Sequence, residues 1–175
     1  KELMKRLPGF GCRVIGCSRS GSQITEHPEV PVYSITKLND FLSASNVLIV
    51  AVPNTPETTG MIGEDQLNML PDNAILVNIA RGPVVQEEAL FNALKSRKLL
   101  SAGIDVWYNY RPEPVDGRKY PYQFPFHTLD NIVLSPHRGG SPLKRPGRYI
   151  DVIDNIKRFI NGKPLTNRLD LQKGY

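Results

Sequence analysis

The sequence predicts an α/β protein built on a mostly parallel sheet. Strand-like and helix-like segments alternate along the chain, and the strand interiors lack the polar alternation of a sheet with one wet face. Hydrophobic residues make up 40% of the 175, enough for one core and too many for a chain without fixed structure.

Taken in order, Leu3, Met4 and Leu7 fall on one side of a short helix that Pro8-Gly9 ends. Residues 13–17 read as a short strand, residues 18–31 as a turn-rich stretch and residues 37–43 as a short helix. Residues 47–52 are the longest apolar run, a strand of the kind buried on both faces. Residues 64–70 give a helical turn or two, and residues 74–79 the next buried strand. Residues 86–95 form a helix with Ala89, Leu90, Ala93 and Leu94 on one stripe. Residues 102–106 are a strand, residues 108–128 a loop rich in Pro, Tyr and Phe, and residues 131–135 the last strand. Residues 149–160 form an amphipathic helix closed by Asn161-Gly162. Gly9-x-Gly11 follows a helix and precedes a strand, so it reads as the turn between them.

The formal net charge of +5 is scattered, with local groups at residues 95–98 and 144–148. Most of it reads as solvated surface, some of it open to an anionic ligand such as a dinucleotide. No concentrated stripe points to nucleic acid. No apolar run approaches the roughly 18 residues of a membrane span, so no membrane partner is expected. Cys12 and Cys17 have no histidine or further cysteine near them, so neither a disulfide framework nor a metal site is expected. The first residues lack the apolar region of a signal peptide. Both points fit a reducing, cytoplasmic setting.

Ligands of parallel sheets collect beyond the carboxyl ends of the strands. Notable residues stand there: Pro53-Asn54-Thr55, Ala80-Arg81-Gly82, Asp105, and Pro136-His137-Arg138-Gly139-Gly140. An arginine in such a place can grip a carboxylate through paired hydrogen bonds. A histidine can give or take a proton near neutral pH. Together they suit oxidation or reduction at a carbon beside a carboxylate. Read singly, Arg81 could equally make a surface ion pair and His137 cap a strand.

Val77-Asn78-Ile79-Ala80-Arg81-Gly82 resembles the arginine motif of the D-2-hydroxyacid dehydrogenase family. Pro53-Asn54-Thr55-Pro56-Glu57-Thr58 resembles its loop beside the nicotinamide, Gly103-Ile104-Asp105-Val106 its next strand, and Ser135-Pro136-His137 its histidine motif. Gly162-Lys163-Pro164-Leu165-Thr166-Asn167 resembles its closing segment. The resemblance implies hydride transfer between NAD or NADP and a small 2-hydroxy or 2-oxo acid. It implies that Arg81 binds the substrate carboxylate and that His137 donates a proton on reduction and removes it on oxidation. Asp105 would contact the nicotinamide end, or else bond nearby backbone at its strand end. Val52, Pro53 and Thr55, then Ile79, Ala80 and Gly139, would line the cofactor, although residues 53–55 also suit a plain turn. The family also implies a homodimer through its cofactor-binding domains.

Two departures stand out. Many family members carry a glutamate five residues after the aspartate matching Asp105, paired with the catalytic histidine; here that position is Tyr110, and Glu113 follows between two prolines. The family's amino-terminal substrate domain, first strand and Gly-x-Gly-x-x-Gly turn have no match in this sequence. The expected fold is therefore a partial Rossmann-like, doubly wound parallel sheet lacking the first strand and glycine-rich turn. Residues 1–148 would form the incomplete NAD(P)-binding domain, and residues 149–175 a helix and tail that pack towards a missing substrate domain. In the order 3-2-1-4-5-6 the absent strand is central, so its two neighbours lose their partner. Little turnover is expected of this chain alone, the alternative being a non-catalytic, partial dinucleotide-binding or regulatory protein. Ser18, followed by Arg19 and Ser20, stands where NAD-preferring proteins place an acid, which tilts the cofactor expectation towards NADP.

Overall fold

A computed structural model describes residues 2–115, 117–139 and 147–166. The side chains of the basic group at residues 144–148, together with Gly140 and the tail from Asn167, lie outside the described residues.

Helix α1 (Glu2–Arg6) runs into a 3-10 turn over Leu7–Phe10. Gly11 closes it at φ 71°, its N–H donating to the Pro8 carbonyl at 2.9 Å. That conformation favours glycine and accounts for the Gly-x-Gly spacing as a turn. Strand β1 (Gly16–Ser18) pairs in parallel with β2 (Val32–Ser34). The first strand thus begins later than residues 13–17 predict, and β2 was hidden in a three-residue stretch behind Pro31. Helix α2 (Leu38–Ser43) packs on both strands, with Phe41 against Tyr33 at 5.9 Å between ring centres.

The larger sheet holds β3 (Val47–Val50), β4 (Ala74–Asn78), β5 (Leu99–Ile104) and β6 (Ile132–Leu134), neighbours in that order and all parallel. Helices α3 (Glu64–Met69) and α4 (Glu87–Lys95) cover it, and α5 (Gly147–Ile160) follows β6. In α4 the stripe buries Leu90, Ala93 and Leu94 against Leu76, Leu99 and Phe126 in one core. Fully burying each leucine is worth about 1.5–3 kcal/mol. Glu87 and Glu88 in its first turn and Lys95 in its last oppose the helix dipole in the stabilising sense.

The sheet's register places Val50, Asn78, Ile104 and Leu134 in one row across the four strands. The residues that follow each of them share one rim. Burial on both faces, expected for the run at 47–52, holds only in part. Leu48 and Val50 are buried, whereas Val47 is 52% exposed. Among the described residues no strand pairs with the outer edge of β3 or the free edge of β1.

Candidate active site at the carboxyl rim

After β4 the chain turns on Asn78, which has no exposed surface. Its side-chain carbonyl accepts from the Ala80 N–H at 3.0 Å, and its amide donates to the Arg81 carbonyl at 3.2 Å. This closed bond set holds Ala80 inside and turns Arg81 out. Arg81 lines an open cleft of about 400 Å³ with Ala51, Val52, Pro53, Asn54, Ile79 and Ala80. One guanidinium nitrogen donates to the Ala80 carbonyl at 2.6 Å. Among the described residues no carboxylate pairs with Arg81, so the ion-pair alternative finds no support there.

Gly82 fixes the next relation. A Cβ at this position would lie 2.4 Å from both the carbonyl carbon and oxygen of Trp107. Only glycine lets the arginine turn press directly on the backbone that leaves β5. The Trp107 indole donates to the Ser135 carbonyl at 3.1 Å, which ties that backbone to the end of β6. Its backbone N–H donates to the Tyr110 hydroxyl at 3.1 Å, and the same hydroxyl lies 2.9 Å from His137 Nδ1. A continuous set of contacts therefore joins the Arg81 turn to the His137 ring.

His137 has a φ of 56°, the left-handed region that non-glycine residues seldom occupy. Asp105 explains how the loop holds it. One carboxylate oxygen accepts from the Ser135 hydroxyl and from the Arg138 N–H at 2.6 Å, and the other from the Gly139 N–H at 2.7 Å. A Cβ at Gly139 would meet that second oxygen at 2.7 Å. Burial pushes the Asp105 carboxyl up. The bonds from Ser135, Gly139 and Arg138 and the nearby His137 outweigh it, and the net direction is below the ordinary aspartate value. Asp105 and Gly139, expected beside the cofactor, thus both fasten the histidine loop. This matches the backbone-bonding alternative for Asp105.

Thr55 is buried, and its hydroxyl donates to Glu57 at 3.0 Å inside a turn that Thr58 and Thr59 complete. Pro53 is left to line the cleft. Beyond β1, the Ser18 hydroxyl accepts from the Gly21 N–H at 3.1 Å, and the Ser20 hydroxyl bonds Ser22 at 2.6 Å. Arg19 pairs with Glu57 at 3.3 Å, joining the turn after β1 to the loop after β3. Glu113 is exposed, and among the described residues no bond joins it to His137. Tyr110, not Glu113, therefore holds the position beside the histidine. Sequence reasoning named Gly82 and Ser135 within their motifs without giving either a role, and it missed Trp107, which acts through contacts between strands far apart in the chain.

Among the described residues no helix is long and apolar enough to cross a membrane, and no cluster of His, Cys, Asp or Glu could hold a metal ion. Residues 1–139 match the family model described as D-isomer specific 2-hydroxyacid dehydrogenase, NAD binding domain. A glyoxylate reductase of Thermococcus gammatolerans is 38% identical over 164 residues, covering 93% of this chain and 46% of that protein. The chain thus spans about half the length of the curated relatives it matches. Among solved structures, a D-isomer specific 2-hydroxyacid dehydrogenase of Xanthobacter autotrophicus Py2, in complex with NADPH and MES, is 34% identical with a TM-score of 0.79. That match covers 94% of this chain and 64% of the other. An NADPH-dependent glyoxylate/hydroxypyruvate reductase of Sinorhizobium meliloti, in complex with NADP and sulfate, reaches a TM-score of 0.84 at 27% identity, covering 99% of this chain and 53% of that one.

Proposed function

The chain belongs to the D-isomer specific 2-hydroxyacid dehydrogenase family, and on that premise we propose that it carries the cofactor-facing half of an oxidoreductase for small 2-oxo and 2-hydroxy acids. The observation that carries this reading is Arg81, unpaired with any described carboxylate, on a strand end joined through Trp107 and Tyr110 to His137. In this reading Arg81 grips the substrate carboxylate and His137 exchanges a proton with the substrate oxygen. Asp105 keeps the histidine in place.

The cleft after β3 and β4 suits the nicotinamide and its ribose, with Val52, Pro53, Ile79 and Ala80 as its walls. When bound, the reduced nicotinamide supplies the hydride. The turn at Ser18, Arg19 and Ser20 has hydroxyls and a cation, and its own residues include no acid, which supports NADP over NAD provided that a 2′-phosphate displaces Glu57 from Arg19. The NADP-bound complexes of similar proteins agree with that choice. Residues 1–15, ahead of β1, contain no Gly-x-Gly-x-x-Gly turn, so these 175 residues by themselves offer no such grip on the pyrophosphate. We therefore assign little turnover to these 175 residues alone. The helix of residues 149–160 is assigned to packing on a substrate domain: Ile150, Val152, Ile156 and Phe159 of α5 are all exposed apolar side chains. A cytoplasmic setting and a homodimer complete the proposal.

The test uses the chain extended at its amino terminus by a first strand, glycine turn and substrate domain, with NADPH oxidation by 2-oxo acids as the readout. Arg81→Ala is expected to raise KM for the acid by about 100-fold, the scale of a lost charge-assisted grip. His137→Ala is expected to lower kcat by about 10²–10⁴. Unimpaired catalysis in both variants rejects the assigned roles. Tight, saturable NADPH binding by the unextended chain rejects the pyrophosphate argument.

A further inference from the structure

We propose that Tyr110 is a positioning residue that fixes the tautomer of His137, holding the neutral ring's proton on Nε2. The inference deepens the proton-transfer role given to His137 and rests on it.

The phenol oxygen has two strong hydrogen-bonding directions near its ring plane, one for its own O–H and one for an incoming donor. The Trp107 backbone N–H, a donor that cannot reverse its role, takes the second at 3.1 Å. In the proposed arrangement the O–H faces His137 Nδ1, 2.9 Å away. Nδ1 therefore accepts. In a neutral imidazole one nitrogen accepts and the other carries the proton, so the proton stands on Nε2. The ring is exposed, and among the described residues Nε2 has no partner. The outward nitrogen is thus a donor.

A carboxylate at position 110 would act in the opposite sense. It accepts only, so it would draw the proton to Nδ1 and leave Nε2 as a bare acceptor. The charged groups placed about the ring do not compete for Nδ1. Both oxygens of Asp105 are engaged by Ser135, Arg138 and Gly139. The side chain of Arg138, next in sequence, is a donor with nothing to accept a proton. Tyr110 also stacks obliquely on the ring, with centres 5.5 Å apart, so its replacement by phenylalanine removes the hydroxyl and keeps the contact. The chemical consequence is directional. A neutral His137 offers its Nε2–H to a substrate carbonyl oxygen as a hydrogen bond, gives up a proton in reduction only from its doubly protonated form, and must move the Nε2 proton before it can act as the base of oxidation.

The experiment is long-range ¹H–¹⁵N NMR of the 175-residue chain labelled at histidine nitrogens, at a pH where the rings are neutral. The ring nitrogen shifts report the tautomer directly. Three histidines are present, and His127, whose Nδ1 lies 3.1 Å from the Tyr122 hydroxyl, serves with His27 as the internal control for folding. The expected result is a single Nε2–H pattern for His137. Tyr110→Phe should give a mixture, and Tyr110→Glu should invert the pattern to Nδ1–H, with His27 and His127 unchanged in both. An Nδ1–H pattern in the unaltered chain overturns the proposal without need of any variant. So does a pattern that survives Tyr110→Phe. Neither readout depends on turnover: an inert extended chain with the expected tautomer counts against the oxidoreductase reading and leaves the Tyr110 assignment standing.

Discussion

At the scale of single residues, Asp105 has the most concentrated role. Its buried carboxylate accepts three hydrogen bonds from the loop that carries His137, and that loop includes a left-handed histidine. Asp105→Asn keeps the shape but turns an NH₂ towards backbone N–H donors. Leaving such donors unsatisfied costs about 1–3 kcal/mol. The expected outcome is a lower urea midpoint, with faster amide exchange at Arg138 and Gly139 than elsewhere; unchanged exchange at those two amides would refute the fastening role. The same site gives a pH dependence of known sign. The folded carboxyl lies below its ordinary value, so its contribution is fully present above the unfolded value and is lost as pH falls through the folded one. The loop should therefore hold at neutral pH and loosen in acid below the ordinary aspartate range, about 3.9. Much of this site was legible in the sequence, because Arg81, Asp105 and His137 each stand in a local motif just past an apolar strand. The partner of His137 was legible only as a substitution, since whether Tyr110 or Glu113 reaches the ring depends on the path of the loop after β5. Trp107 and its bonds to Tyr110 and Ser135 left no local signature, since they arise where separate strand ends meet.

The elements meet most tightly where the turn after β4 crosses the backbone leaving β5. Gly82→Ala puts a methyl group 2.4 Å from Trp107 backbone atoms, which have no rotamer to yield. The two turns must part or one must bend. Overpacking of this kind costs about 1–3 kcal/mol, and here the upper end is expected. Trp107 is the chain's single tryptophan and is buried, so its emission reports the event. The expected result is a red shift together with a lower unfolding midpoint, whereas native emission and stability would mean that Gly82 is not the spacer between these turns. Periodicity found α3, α4 and β4 by the length of their apolar patterns, and β6, only three residues long, because Ile132-Val133-Leu134 is apolar throughout. It missed β2, equally short, since Val32-Tyr33-Ser34 carries a phenol and a hydroxyl and follows a run of turn residues. It overstated the burial of β3, since an apolar run shows what a strand prefers and not whether a neighbour is there to cover it.

Across the whole molecule the strands form two parallel sheets among the described residues, β2-β1 and β3-β4-β5-β6, and a strand set between β1 and β3 would complete the doubly wound order 3-2-1-4-5-6 with one further strand beside its last. The two open edges make a prediction about individual backbone groups. The Asn46 and Val50 carbonyls accept from Ile75 and Ile79 of the β4 segment at 2.9 and 3.2 Å. Peptide groups alternate sides along a strand, so Leu48 and Val50 turn theirs to β4, and Val47 and Ile49 turn theirs to the open edge. On β1, the Gly16 N–H donates to the Pro31 carbonyl at 2.9 Å, so Cys17 faces the open side. Unpaired edge groups exchange with water, whereas paired ones in a core sheet exchange only when the sheet opens. Hydrogen exchange on the 175-residue chain should therefore separate neighbours within one strand: slow at Leu48 and Val50, near the unprotected rate at Val47, Ile49 and Cys17. In the amino-terminally extended chain the last three should slow to match their neighbours, because a strand inserted in parallel between β1 and β3 would take up both edges at once. Equal protection of all five amides in the unextended chain would show the gap already closed, by rearrangement of the sheet or by a second copy. It would remove the structural reason for expecting the chain to be inactive alone.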